Sequence, residues 1–141
     1  MSVLAPASPC TRFGPASSAN EEIVRTYLIE PQTIFVPFLR RILARAGLDV
    51  VATNTGVDDR DITSHDPAAI LIDVDYLERS GPTALCRIRS IAHNARLIAL
   101  SESTDSLFAA TCVISGANAV CSKEGSEESL LSELLAAMGT A

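Results

Sequence analysis

The chain has no surplus of positive charge: 11 Lys and Arg stand against 17 Asp and Glu, for a net charge of -6. Nucleic-acid binding needs Lys and Arg clustered on one face, so direct DNA binding is not expected. It has no CxxC pair. Cys10, Cys86, Cys112 and Cys121 are scattered, three of them among apolar neighbours where cysteine acts as a small hydrophobe, and a reduced, cytoplasmic setting is expected. No apolar run approaches the roughly 20 residues of a membrane span. Met1 to Asn20 lacks the basic start and apolar core of a signal peptide. Neither His65 nor His93 has a second ligand at metal spacing, so neither is given a catalytic task. No glycine-rich or Ser/Thr-rich loop follows the first apolar run, where a nucleotide or flavin phosphate would bind, which argues against a small-molecule enzyme.

What the chain does have is 48% hydrophobic residues in 141, enough for one domain with a sizeable core. Four short apolar runs each end in a polar residue able to do chemistry: Leu28-Ile29-Glu30, Ile70-Leu71-Ile72-Asp73, Leu97-Ile98-Ala99-Leu100-Ser101 and Ala119-Val120-Cys121-Ser122-Lys123. In an open parallel sheet the carboxyl ends of the strands share one edge, where such sheets bind ligands. Two carboxylates, a hydroxyl and an ammonium would meet there.

Residues 1–22, rich in Ala, Ser and Pro, read as a mobile tail, and 139–141 as the C-terminal end. Between them, residues 23–138 alternate apolar runs with amphipathic stretches, the pattern of strand-helix units around a parallel sheet. The first strand is expected over Val24 to Glu30. A helix carrying Phe35, Phe38, Leu39, Ile42, Leu43 and Ala46 follows, beginning nearer Val36 than Thr33 because Pro37 suits a first turn, and closing at Gly47. A second strand lies near Asp49 to Thr53. The polar stretch from Gly56 to Asp66 offers only Val57 and Ile62 to bury, so its helix is the least marked. Ala68 to Asp73, apolar on consecutive residues, reads as a central strand covered on both faces. Pro82 sits near the start of a helix presenting Leu85, Ile88 and Ile91, and a fourth strand ends at Ser101. Thr104 or Asp105 can cap a helix whose apolar side is Leu107, Phe108 and Val113, ending at Gly116. A fifth strand finishes at Lys123. Ser126, Glu127 and Glu128 open a last helix packed by Leu130, Leu131, Leu134 and Leu135.

Each polar residue also has a plainer reading. Asp73 can form a turn after a buried strand, Ser101 can start the next turn, and Glu30 can merely neutralise Lys123. Asp75 reads first as a solvated loop acid. Tyr27 and Phe35 read as core aromatics.

The ordered set resembles the receiver domains of bacterial response regulators, the CheY-like family. Ile70-Leu71-Ile72-Asp73-Val74-Asp75-Tyr76-Leu77-Glu78-Arg79-Ser80-Gly81 is similar to that family's phosphoacceptor strand and turn, with glycine eight positions after the aspartate. Ser101 and Lys123 stand where the family has its hydroxyl and lysine, and Gly116-Ala117-Asn118-Ala119 matches its approach to the last strand. The resemblance spans about Val24 to Met138. It implies a doubly wound (βα)5 flavodoxin-like three-layer α/β sandwich with parallel strand order 2-1-3-4-5.

The resemblance further implies a single-domain receiver in a two-component phosphorelay, a phosphoacceptor and not an enzyme beyond self-catalysed phosphoryl transfer. Asp73 would take the phosphoryl group from a histidine kinase or histidine phosphotransfer protein, with Lys123 and Ser101 sensing it. A downstream protein target would read the result, and a homodimer is compatible with this. Magnesium would be held weakly by Glu30, Asp73 and the backbone carbonyl of Asp75, with the Asp75 side chain as the alternative ligand, because the family's adjacent acid pair here reads Glu30-Pro31. The family's turn proline is Leu77, its proline after the lysine is Glu124, the small residue after the hydroxyl is Glu102, and the aromatic switch is Val120. These departures support a rival reading, a pseudo-receiver interaction module with little or no phosphorylation.

Overall fold

A computed structural model describes residues 23–75, 81–103 and 105–139. The expected tail at 1–22, the turn residues 76–80 that include Leu77, and Thr104 lie outside the described residues. The elements alternate without exception: β1 (Val24–Ile29), α1 (Val36–Arg45), β2 (Leu48–Asn54), α2 (Asp59–His65), β3 (Ala69–Asp73), α3 (Gly81–Ile91), β4 (Arg96–Ser101), α4 (Ser106–Ile114), β5 (Ala119–Ser122) and α5 (Glu127–Gly139). All strand pairings are parallel, in the order β2-β1-β3-β4-β5. This is the expected doubly wound sheet. No helix among the described residues is long and apolar enough to cross a membrane.

Successive side chains of a strand point to opposite faces, so the sheet feeds two cores. Tyr27, Ile29, Ile70, Ile72, Leu97 and Ala99 pack with Ile62 of α2, Leu85 and Ile88 of α3 and Cys112 of α4. Leu28, Leu71, Ile98, Leu100 and Cys121 pack on the other face with Leu39, Ile42 and Leu43 of α1 and Leu130 and Leu134 of α5. All five residues of β3 are buried, as a central strand covered twice must be.

Local chemistry sets the ends of the helices. Pro37 falls in the first turn of α1, preceded by a 3-10 turn at Thr33–Phe35, so the helix starts at Val36 as expected. The polar α2 forms because the Asp58 side chain caps it, accepting from the Asp61 amide at 3.1 Å, while Ile62 is its one buried residue and the Tyr27 hydroxyl donates to Asp61 at 2.5 Å. Asp105 caps α4 by accepting from the Leu107 amide at 3.0 Å. Gly81 opens α3 where a Cβ would come within 3.1 Å of the Val74 carbonyl oxygen, so a larger residue there requires the Val74 backbone to give way.

Several expected core positions are corrected. In α4 only Cys112 is buried, while Leu107 is 73% and Val113 50% exposed. Seven of its nine residues are apolar or alanine, so periodicity carried no information about which side meets the sheet. Leu135 of α5 is exposed, and so is Phe35, whose ring stands at the mouth of the carboxyl edge instead of the core. Tyr27 is fully buried, as expected. Cys112 and Cys121 are buried free thiols, but Cys86 is exposed.

Candidate functional site

The register of the sheet builds the site. Ile29 pairs with Ile72, which sets Glu30 beside Asp73, and Ser101 pairs with Ser122, which sets Lys123 just beyond Ser101. Backbone hydrogen bonds carry the ladder to the rim: Glu30 N donates to Asn54 O at 2.9 Å, Val74 N to Leu100 O at 3.0 Å and Lys123 N to Ser101 O at 2.8 Å. The sequence-predicted residues Glu30, Asp73, Ser101 and Lys123 therefore share one edge, with Asp75 two residues past the end of β3.

Glu30, Asp73 and Ser101 are buried, a rare condition for carboxylates unless they are paired. The Lys123 ammonium donates to Asp73 Oδ2 in a direct ion pair and lies 4.0 Å from Glu30 Oε1. Burial by itself would lower the Lys123 pKa, but the hydrogen bond and charge of Asp73, with Glu30 and Asp75 adding, hold it above the ordinary lysine value. For Glu30 burial dominates. Aided by the charge of Asp73 and opposed by the Gln32 amide and by Lys123, it pushes this carboxyl up to about 7. Gln32 N donates to Glu30 Oε2 at 3.0 Å, while Oε1 is buried with no hydrogen-bond partner.

Asp75 faces another way. Its amide donates to Asp73 Oδ1 at 2.9 Å, but its carboxylate turns to β4, accepting from the Ser101 hydroxyl at 2.7 Å and from the Glu102 amide at 2.7 Å. The Ser103 amide in turn donates to Ser101 Oγ at 2.9 Å. The Glu102 side chain is exposed. Val120 is half-buried against the core between the sheet, α3 and α4.

Sequence reasoning did not anticipate three partners: the Gln32 amide on Glu30, the Asp75 carboxylate on Ser101, and the Phe35 ring, whose centroid lies 5.8 Å from the Lys123 ammonium. Only the first had a local signal, in its proximity to Glu30. A cleft of about 100 Å³ between Phe35, Phe38, Leu39, Glu102 and Lys123 opens onto this edge.

The expected magnesium ligands can be tested against this geometry. Among the described residues no three His, Cys, Asp or Glu side chains gather to hold a metal ion. Asp73 has one oxygen on Lys123 and the other on the Asp75 amide, and both Asp75 oxygens are engaged across the loop. Magnesium demands near-octahedral oxygen geometry and gives up water reluctantly, and the side chains as paired here leave Glu30 Oε1 without a hydrogen-bond partner but engage both oxygens of Asp73, an incomplete set that would hold the ion weakly. Lys123 places a cation directly beside Asp73.

Solved structures of response regulators superpose on this five-stranded parallel sheet in the order 2-1-3-4-5. One is a two-component response regulator of the LuxR family from Aurantimonas sp. SI85-9A1, with 23% identity and a TM-score of 0.71 over 79% of this chain and 81% of that one. Another is a chain from the CheX-CheY complex with BeF3 and magnesium from Borrelia burgdorferi, with 18% identity and a TM-score of 0.72 over 83% of this chain and 90% of that one. A response regulator from Burkholderia pseudomallei, solved with a phosphorylated aspartic acid, calcium and citrate, has 22% identity and a TM-score of 0.66 over 81% of this chain and 68% of that one. No family model and no curated protein sequence matches the chain. The likeness is one of fold.

Proposed function

We propose that the chain is a receiver that takes a phosphoryl group on Asp73 from a phosphohistidine and passes the signal on by protein contacts. The observation that carries this reading is the buried Asp73 at the end of the central strand, held by Lys123 with the Ser101 hydroxyl across the same edge. In the transfer the P–N bond of the phosphohistidine breaks as an Asp73 oxygen bonds phosphorus, and the electron pair stays on the imidazole. Charge on the moving group spreads over its oxygens, so catalysis is mostly a matter of placed cations and donors. Lys123 is the placed cation and Ser101 the donor. The phosphoryl source is a histidine kinase or histidine phosphotransfer protein, and the recipient of the signal is a downstream protein.

The pseudo-receiver reading draws on a specific observation too: Asp75 holds Ser101, and Lys123 is already paired with Asp73. Intact mass after incubation with a small phosphodonor separates the two. A gain of one phosphoryl group that disappears in Asp73→Asn is the receiver result, and no gain on the native chain is the pseudo-receiver result.

Magnesium gives a further expected outcome. Pro31→Asp restores the absent second acid beside Glu30 and should tighten magnesium about tenfold, the factor of one charge-assisted contact. Calorimetric titration of both chains checks it, and equal affinities would contradict the charge argument.

A further inference from the structure

We propose that Asp75 is an internal anion that occupies the phosphoryl-binding donors of this pocket and must leave them before a phosphoryl group on Asp73 can be held. The inference rests on the receiver reading and adds a regulatory residue to it. A carboxylate resembles one side of a phosphoryl group: two acceptor oxygens sharing negative charge. Asp75 places its two oxygens on one hydroxyl, Ser101 Oγ, and one backbone amide, Glu102 N, both at 2.7 Å.

The hydroxyl has a single proton, so it cannot serve Asp75 and an incoming phosphoryl oxygen together. The Ser103 amide, donating to Ser101 Oγ at 2.9 Å, leaves that proton directed at Asp75. Asp73 itself anchors the arrangement by accepting from the Asp75 amide at 2.9 Å. The phosphoacceptor thus steadies the backbone of the residue that covers its partner groups. An arriving phosphoryl group meets this carboxylate as a like charge and a competitor for the same donors. Release needs only a turn of the Asp75 side chain, since Ser101 is held on the ladder of β4 and Glu102 follows it directly.

The test uses phosphoramidate on the full chain, followed by intact mass against time. An Asp73 oxygen bonds phosphorus, the P–N bond breaks, and its electron pair leaves with ammonia. Asp75→Ala should gain the phosphoryl group about tenfold faster than the native chain, the factor of one charge-assisted hydrogen bond. Asp75→Asn, which keeps an acceptor but loses the charge, should fall between them. In a Ser101→Ala background the advantage of Asp75→Ala should shrink, which a merely structural loop residue would not produce. Without phosphodonor, the Glu102 amide resonance should move in Asp75→Ala. Equal or slower gain in both Asp75 variants, with Asp73 still the acceptor, overturns the inference and leaves the receiver reading standing. No gain on the native chain or on Asp75→Ala removes both.

Discussion

Replacing Lys123 with Met should lower the stability of the domain by about 3 kcal/mol at pH 8, the lower end of the range for breaking a buried ion pair. The side chains of Glu30 and Asp73 have no exposure to solvent, and Lys123 is the cation beside them, so its removal leaves two facing carboxylates. Methionine keeps the length of the aliphatic stem, which confines the change to charge. The lower end applies because 12% of the Lys123 side chain is exposed and water can reach the vacated space. The deficit should shrink toward pH 5 as Glu30 takes up a proton, and Asp73→Asn in the same chain should recover much of it. Urea unfolding at the two pH values measures this, and an unchanged midpoint at pH 8 would refute the charge-closure account.

Glu30→Gln should act in the opposite direction. Burial raises this carboxyl from the ordinary 4.5 to about 7, so between those values the folded chain binds more protons than the unfolded one. Stability must therefore fall as pH rises through that window, and the loss is complete above the folded value. Glutamine does not titrate. The variant should match the native chain near pH 4.5 and exceed it by about 1–2 kcal/mol at pH 8, discounted from 1.36 kcal/mol per unit for water entering past Lys123. Parallel denaturation curves across pH 5 to 8 that keep a constant separation would contradict the assignment.

Much of the site was legible because strand ends are local features. A short apolar run closed by Glu30, Asp73, Ser101 or Lys123 marks the strand and its end to within one residue, and parallel strands bring their carboxyl ends together. Pro37 marked the start of α1 and Asp105 was among the two caps named for α4, each because a backbone group near in sequence demands it. The inward side of α4 was not legible. Its apolar residues surround the helix, and only contact with the sheet chose Cys112 over Leu107 and Val113. Phe35 was misread as core for a related reason: hydrophobicity marks a residue that gains from burial, while Phe35 closes the 3-10 turn ahead of α1 and its ring stands beside Lys123.

The amino-acid sequence by itself determined the alternation of elements, the parallel sheet and the list of groups on its edge, since each depends on periodicity and on neighbours within a few residues. Only the tertiary structure decided how those groups pair. Lys123 reaches Asp73 across 50 residues and Asp75 reaches Ser101 across 26, and no local pattern encodes which oxygen meets which donor. That choice follows from sheet register and from burial, which makes an unpaired charge costly and so drives each ionic group to the partner that the folded edge provides.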